Sequence, residues 1–136
     1  MAAIAFKNAK LLLNSVDLSD HVESVALHLT TDVAEVTAMG AGSKQRIQTL
    51  GDFSLDVTFL QDFAAGKVDA TLWALLTAGS VAFTLNPTSG ANSVTNPQYA
   101  GNVVLNTYDP LTGNVGSALK IQAKFMGDGA VTRATA

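Results

Sequence analysis

The residues best suited to chemistry are two histidines, His21 and His28, because histidine can bind a metal ion or transfer a proton near neutral pH. They are seven residues apart in a stretch that we predict to be a strand, where an odd spacing places two side chains on opposite faces. Such a pair cannot share a metal ion without further ligands. We therefore interpret both as surface histidines or as histidines with a local hydrogen-bond partner.

The densest polar cluster consists of Asp17, Asp20, His21 and Glu23, and carboxylates of this kind are ligands for calcium. A calcium loop also needs alternating oxygen ligands, a central glycine and a closing glutamate, which this spacing does not provide. A turn followed by an exposed strand explains the same residues, so we predict no metal site.

The sequence also contains no motif for phosphate binding or nucleophilic catalysis. Residues 40–44 (Gly-Ala-Gly-Ser-Lys) are too short and wrongly spaced for a phosphate-binding loop. Neither histidine lies beside a nucleophile motif. We therefore predict a protein that is not an enzyme and that uses no cofactor.

The composition favours a protein that associates with other proteins. The chain has 136 residues, which suits one domain, and no cysteine. Only 14% of its residues are charged, against about 25% in an ordinary domain, and the mean hydropathy is +0.27. Such a chain leaves uncharged surface exposed, which usually marks an interface. The net charge of -3 argues against binding nucleic acid by neutralising phosphates.

No membrane insertion or secretion is predicted. The longest charge-free run, between Asp69 and Asp109, is interrupted by glycines and prolines, and its apolar part at residues 70–85 is shorter than a span of about 20 residues. Residues 1–10 lack the basic start and apolar block of a secretory signal.

Alternating and β-branched stretches predict about seven strands and therefore a mainly β fold, an antiparallel β-sandwich or open barrel. The predicted strands are residues 6–13, 22–37, 52–59, 81–86, 101–108, 118–126 and 130–134. Within the long second strand, Val36 has the opposite parity to Val25, Leu27 and Leu29, so we predict a bulge or bend at residues 30–32.

One short flanking α-helix is predicted at residues 69–78, with Asp69 capping its start and Gly79 following its end. Three apolar residues form the stripe that should anchor it to the sheet, and we interpret the tryptophan as a core residue and not as a ligand platform. These residues are Leu72, Trp73 and Leu76.

Two further features are unusual. Residues 39–51 break the strand pattern, and a loop of this length in a small domain is usually functional or flexible. Residues 17–35 contain five acids and no lysine or arginine, which is typical either of a solvated strand face or of a surface that keeps a polyanion from adhering. The acids are Asp17, Asp20, Glu23, Asp32 and Glu35.

Several segments together resemble the small major tail proteins of siphophages, in the same order and at similar spacing. They are residues 14–22, 36–40, 61–73, 96–101 (Asn-Pro-Gln-Tyr-Ala-Gly) and 129–133. The resemblance covers most of the chain and treats residues 1–136 as one tail-tube domain.

This resemblance implies a structural virion protein without enzymatic activity. Six copies would close into a ring, and stacked rings would form the tail tube around a tape-measure protein, with tail-end proteins as further partners. Double-stranded DNA would pass through the tube into the host without specific binding.

The resemblance also implies roles for particular residues. Residues 39–51 correspond to a projecting loop that reaches the neighbouring ring, and its expected contacts are Met39, Gly42, Lys44, Arg46 and Ile47. An acidic lumen would let DNA slide, and we expect it to be lined by Asp32, Glu35 and Asp56. Lys120 and Lys124 do not fit a uniformly acidic wall unless they face outward or pair with acids.

The alternatives are a tail terminator that forms a single ring, a tube protein of a secretion system, and a carbohydrate-binding β-sandwich. A sugar-binding module would need exposed aromatic residues, and this chain has one tryptophan and two tyrosines. Sequence does not separate rings that stack from rings that do not, because both need the same lateral contacts.

Overall fold

A computed structural model describes residues 7–136. Strands with alternating apolar and polar residues make up most of this part of the chain. The elements are β1 (Lys10–Leu13), β2 (Val16–Asp17), β3 (Val22–Glu35), β4 (Arg46–Leu60), α1 (Val68–Ala78), β5 (Val81–Asn86), β6 (Gln98–Tyr108), β7 (Lys120–Gly127) and β8 (Thr132–Ala134). A 3-10 turn at Ser19–His21 precedes β3. Phe6, the first residue of the first predicted strand, and most of the segment assessed as a signal lie outside the described residues.

The eight strands form one antiparallel sheet in the order β2-β1-β5-β6-β7-β4-β3, with β8 paired to β6. The sheet does not close into a hydrogen-bonded barrel, so β2 and β3 are its edges. The predicted mainly β fold with one short flanking helix is confirmed.

The core lies on one face of this sheet. In β7 the apolar residues Ile121, Ala123 and Phe125 are buried and alternate with exposed polar residues, as predicted. The same alternation buries one face of β4 from Phe53 to Phe59. The ring of Phe53 lies 5.7 Å from that of Phe83, which joins the centre of the sheet to β5.

The β3–β4 hairpin extends beyond the rest of the sheet. Strand β7 pairs with β4 only from Ser54 to Leu60, so the first part of β4 pairs with β3 alone. We call residues 30–52 the arm, and residues 36–45, which connect its two strands, the tip. A register shift between Thr31 and Val33 confirms the predicted bulge.

The predicted loop at residues 39–51 was too long. Strand β4 begins at Arg46, so residues 46–51 are paired backbone. Their side chains do not alternate in polarity, because both faces of the arm are exposed and no buried face imposes the pattern. Hydrogen bonds to β3 hold this part of β4 in place, although no core packs against it.

The helix has a different buried face from the one predicted. Its core residues are Val68, Thr71, Leu72 and Leu75. Trp73 is 67% exposed and Leu76 is 45% exposed, so neither anchors the helix, whereas Leu72 does. Apolar residues surround the whole helix, and their positions therefore could not indicate which face meets the sheet.

The ends of the helix follow the prediction in part. Gly79 follows the last turn with a φ of 77°, which suits glycine. The N-cap is Lys67, which makes no side-chain capping bond, so the predicted cap at Asp69 was wrong. Asp69 lies in the first turn instead. No helix within residues 7–136 is long and apolar enough to cross a membrane.

Candidate functional site

Both histidines have local carboxylate partners, in keeping with their interpretation from sequence. The Nε2 atom of His21 lies 2.9 Å from Asp62, and its Nδ1 atom lies 3.4 Å from Asp20. The amide of Ala64 and the side chain of His21 lower the pKa of Asp62. These contacts hold the loop after β4 against the 3-10 turn.

The acidic stretch at residues 17–35 does not form one continuous charged surface. Asp17 accepts hydrogen bonds from the hydroxyl and amide groups of Ser19, which lower its pKa. Glu23 forms an ion pair with Lys120 at 2.9 Å, so this lysine pairs with an acid of its own chain. Within residues 7–136, no three histidine or acidic side chains converge as a metal site would require.

The three residues predicted to line a lumen are divided between two regions. Asp56 lies on the solvent-facing side of the sheet, opposite Lys124 in register and 3.5 Å from Nε2 of His28. Asp32 and Glu35 lie in the arm, exposed to solvent. The body of the sheet thus carries mixed charge on this face.

The five residues predicted to contact a neighbouring ring lie together at the end of the arm, and all are exposed. They are Met39, Gly42, Lys44, Arg46 and Ile47. The tip is closed by the amide of Val36, which donates to the carbonyl of Gln45 at 2.8 Å. The amide of Gln45 donates to the hydroxyl of Thr37 at 2.9 Å.

A second exposed surface lies at the other end of β4. We call it the base, and it consists of residues 61–66, residues 109–111 and Asp20. The side-chain amide of Gln61 donates to the hydroxyl of Tyr108 at 3.1 Å and to the carbonyl of Pro110 at 2.9 Å. These bonds join the two chain segments of the base.

Tyr108 completes this network. Its hydroxyl donates to Oδ1 of Asp69 at 2.7 Å, and its partial burial raises its pKa to about 12. No sequence pattern indicates this site, because 39 residues separate Tyr108 from Asp69 and 47 separate it from Gln61. Only the fold brings the three together.

Large apolar side chains are exposed on both the arm and the base side of the protein. On the arm they are Val33, Val36, Met39, Ile47 and Leu50, in or beside the base they are Leu60, Phe63 and Leu111, and on helix α1 they are Trp73 and Leu76. Apolar surface of this extent, in a chain with few charges, is typical of a protein that functions in an assembly.

Neither a family model nor a curated protein matches the chain, but solved structures of phage-like particles match its fold. A chain in the tail of an empty gene transfer agent particle, computed with helical refinement and C6 symmetry, has a TM-score of 0.71 and 12% identity over 95% of both chains. A chain in the virion of the native gene transfer agent has a TM-score of 0.74 and 11% identity, covering 96% of this protein and 98% of that chain.

The fold also matches chains in two structures of a baseplate and an adsorption hub. A chain of the anti-feeding prophage baseplate has a TM-score of 0.60 and 12% identity, covering 98% of this protein and 97% of that chain. The Dit protein of phage SPP1, described as a hub of the adsorption apparatus, has a TM-score of 0.53 and 16% identity. This protein covers 50% of the Dit chain. At these identities the matches establish a shared tail-tube-like fold.

Proposed function

We propose that the protein is a structural tail protein of a phage-like virion, and that it assembles into stacked rings of six copies that form the tail tube. The observation that carries this proposal is the fold match, over 95% of both chains, to a chain from a tail with helical and C6 symmetry. The tape-measure protein and tail-end proteins are the further partners of such a tube.

Lateral contacts between copies would use the edges of the open sheet. Strand β3 is an edge strand of 14 residues, and an edge of that length invites pairing with another chain. If six copies each contribute four strands, spaced about 4.8 Å apart and tilted by about 40°, the closed sheet is roughly 45–50 Å across. This width accommodates a DNA duplex after side chains have filled the rim.

The solvent-facing side of β3, β4 and β7 would line the lumen, with Asp32, Glu35 and Asp56 among its acids. Lys124 opposite Asp56 makes this wall one of mixed charge with an acidic excess. A wall that lacks a basic patch does not hold phosphates, so DNA passes through without specific binding.

Electron microscopy of the concentrated protein tests the proposal. We expect tubes with a regular axial repeat and a stain-filled lumen. Isolated rings that never stack would favour the tail terminator instead. A protein that stays monomeric at high concentration and binds glycans tightly would overturn the proposal.

A further inference from the structure

We propose that the tip of one copy binds the base of the next copy along the tube. This inference rests on the proposed tube function and adds the surface that receives the arm. Three observations carry it: the tip and the base lie at opposite ends of the molecule, the arm and the base both expose apolar side chains, and the charged residues of the tip and of the base are opposite in sign.

The position of the two surfaces follows from β4, which starts in the arm at Arg46 and ends beside the base at Leu60. Its 15 residues, at about 3.3 Å each, separate the two surfaces by roughly 45 Å. A contact between opposite ends of one molecule is heterologous, so it repeats from copy to copy without closing. This is the contact that a growing tube requires.

The base exposes apolar side chains on two segments that are held together. Phe63 is 57% exposed and Leu111 is 75% exposed. The bonds from Gln61 to Tyr108 and Pro110 fix these segments next to each other before a partner arrives. The base is therefore a preformed apolar surface with a polar rim, as protein interfaces commonly are.

The charges of the two surfaces are complementary. Lys44 is the one charged residue of the tip, and Arg46 follows it at the start of β4, opposite Glu35 in register. The base carries the carboxylates of Asp20, Asp62 and Asp109, and Lys67 follows them in the loop. A basic tip and an acidic base attract one another and fix the polarity of stacking.

The tip also supplies the apolar part of the contact. Met39 projects fully into solvent, and Val36 and Ile47 are exposed beside it. Methionine adapts its shape to aromatic surfaces, which suits a contact with Phe63. The occupant of the base is accordingly a second copy of this chain.

Disulfide trapping tests the inference, because the chain contains no cysteine of its own. The double variant Met39→Cys/Phe63→Cys is assembled at high concentration and oxidised. We expect a ladder of covalent oligomers that reducing agent abolishes. The matched control is Met39→Cys/Val94→Cys, since Val94 is more exposed than Phe63 but lies in the loop between β5 and β6, and it should give no ladder.

A charge-reversal series gives a second measurement. Lys44→Glu with Arg46→Glu should raise the critical concentration for tube formation about tenfold or more, since two attractions to the acidic base become repulsions. Adding Asp20→Lys and Asp109→Lys to the same chain should restore assembly by returning opposite charges to the two surfaces.

The outcomes separate the inference from the function on which it rests. The inference would be wrong, and the tube function would stand, if tubes form without the 39–63 cross-link and the added lysines at residues 20 and 109 do not restore assembly. Rings that never stack and never cross-link would overturn both the inference and the tube. A wild-type protein that forms neither rings nor tubes and that binds glycans tightly would overturn the proposed function itself.

Discussion

Gly127 lies where β7 passes over the aromatic ring of Phe53, and its lack of a side chain is a packing requirement. A Cβ atom at this position would lie 2.5 Å from Cδ1 of Phe53 and 2.7 Å from its carbonyl oxygen. The ring of Phe53 also packs on Phe83 and cannot move aside freely. The site therefore excludes even a methyl group.

We predict that Gly127→Ala lowers the free energy of unfolding by about 1–3 kcal/mol, because overpacking forces the backbone or the ring to shift. Urea denaturation followed by circular dichroism measures the change. Gly42→Ala is the control, since a Cβ there meets nothing within 4 Å, and it should unfold at the wild-type midpoint. Equal midpoints for both variants would contradict this account of the core.

Tyr108 gives a prediction about pH. Its pKa rises from 10.0 to about 12 in the folded protein, so the folded state favours the protonated hydroxyl that donates to Asp69. This contribution to stability is fully present below pH 10 and is lost as the pH rises to about 12. Absorbance titration of Tyr99→Phe, which leaves Tyr108 as the single tyrosine, should show ionisation near pH 12.

The matched variant for this prediction is Tyr108→Phe, which keeps the ring and removes the hydroxyl. It should be less stable than wild type at pH 8, and the difference should shrink as the pH approaches 12. A normal tyrosine titration near pH 10 in the Tyr99→Phe variant would contradict the partial burial of Tyr108 and its bond to Asp69, which together raise the pKa.

At the scale of elements, sequence predicted those strands that have one buried face. β4 from Phe53 onward and β7 alternate strictly because the core accepts side chains from one face alone. The arm lacks that constraint, so residues 46–51 form a strand without an alternating pattern of apolar and polar residues. The base could not be predicted either, because residues 20, 61–66 and 109–111 meet only in the folded sheet.

In helix α1 the sequence pattern likewise did not show which face is buried. Two substitutions on different faces test the face that the structure gives. Leu72 is fully buried, so Leu72→Ala should lower the free energy of unfolding by about 2–5 kcal/mol. Trp73 faces solvent, so Trp73→Ala should change it by less than about 0.5 kcal/mol. Urea denaturation of both variants checks the assignment. A larger loss of unfolding free energy in Trp73→Ala than in Leu72→Ala would support the prediction from sequence that Trp73 anchors the helix.

At the scale of the whole molecule, one arrangement explains the low charge, the open sheet and the exposed arm. As a monomer the protein would leave a long edge strand and two apolar surfaces in water, each of which invites association. In the tube that we propose, copies of the same chain would cover these surfaces.

The tip can be shortened without touching the core, which makes the whole-molecule prediction specific. Excising residues 44–47 would cut into β4 and disturb its pairing with β3. Replacing residues 37–44 by Asn-Gly instead joins Val36 to Gln45, which already form a backbone hydrogen bond, through a two-residue turn that suits a hairpin. We expect monomer stability within about 0.5 kcal/mol of wild type, because the tip contributes no buried residue.

The same variant should lose stacking while keeping the lateral contacts of a ring, because the sheet edges remain intact. Negative-stain electron microscopy should then show rings or short stacks in place of tubes, and sedimentation should show no long polymers. Exchange of Ser43 for Ala, which keeps both the length of the tip and the bond from Gln45 to Thr37, is the control and should still give tubes. Tubes of normal length from the shortened variant would mean that copies stack through surfaces other than the tip.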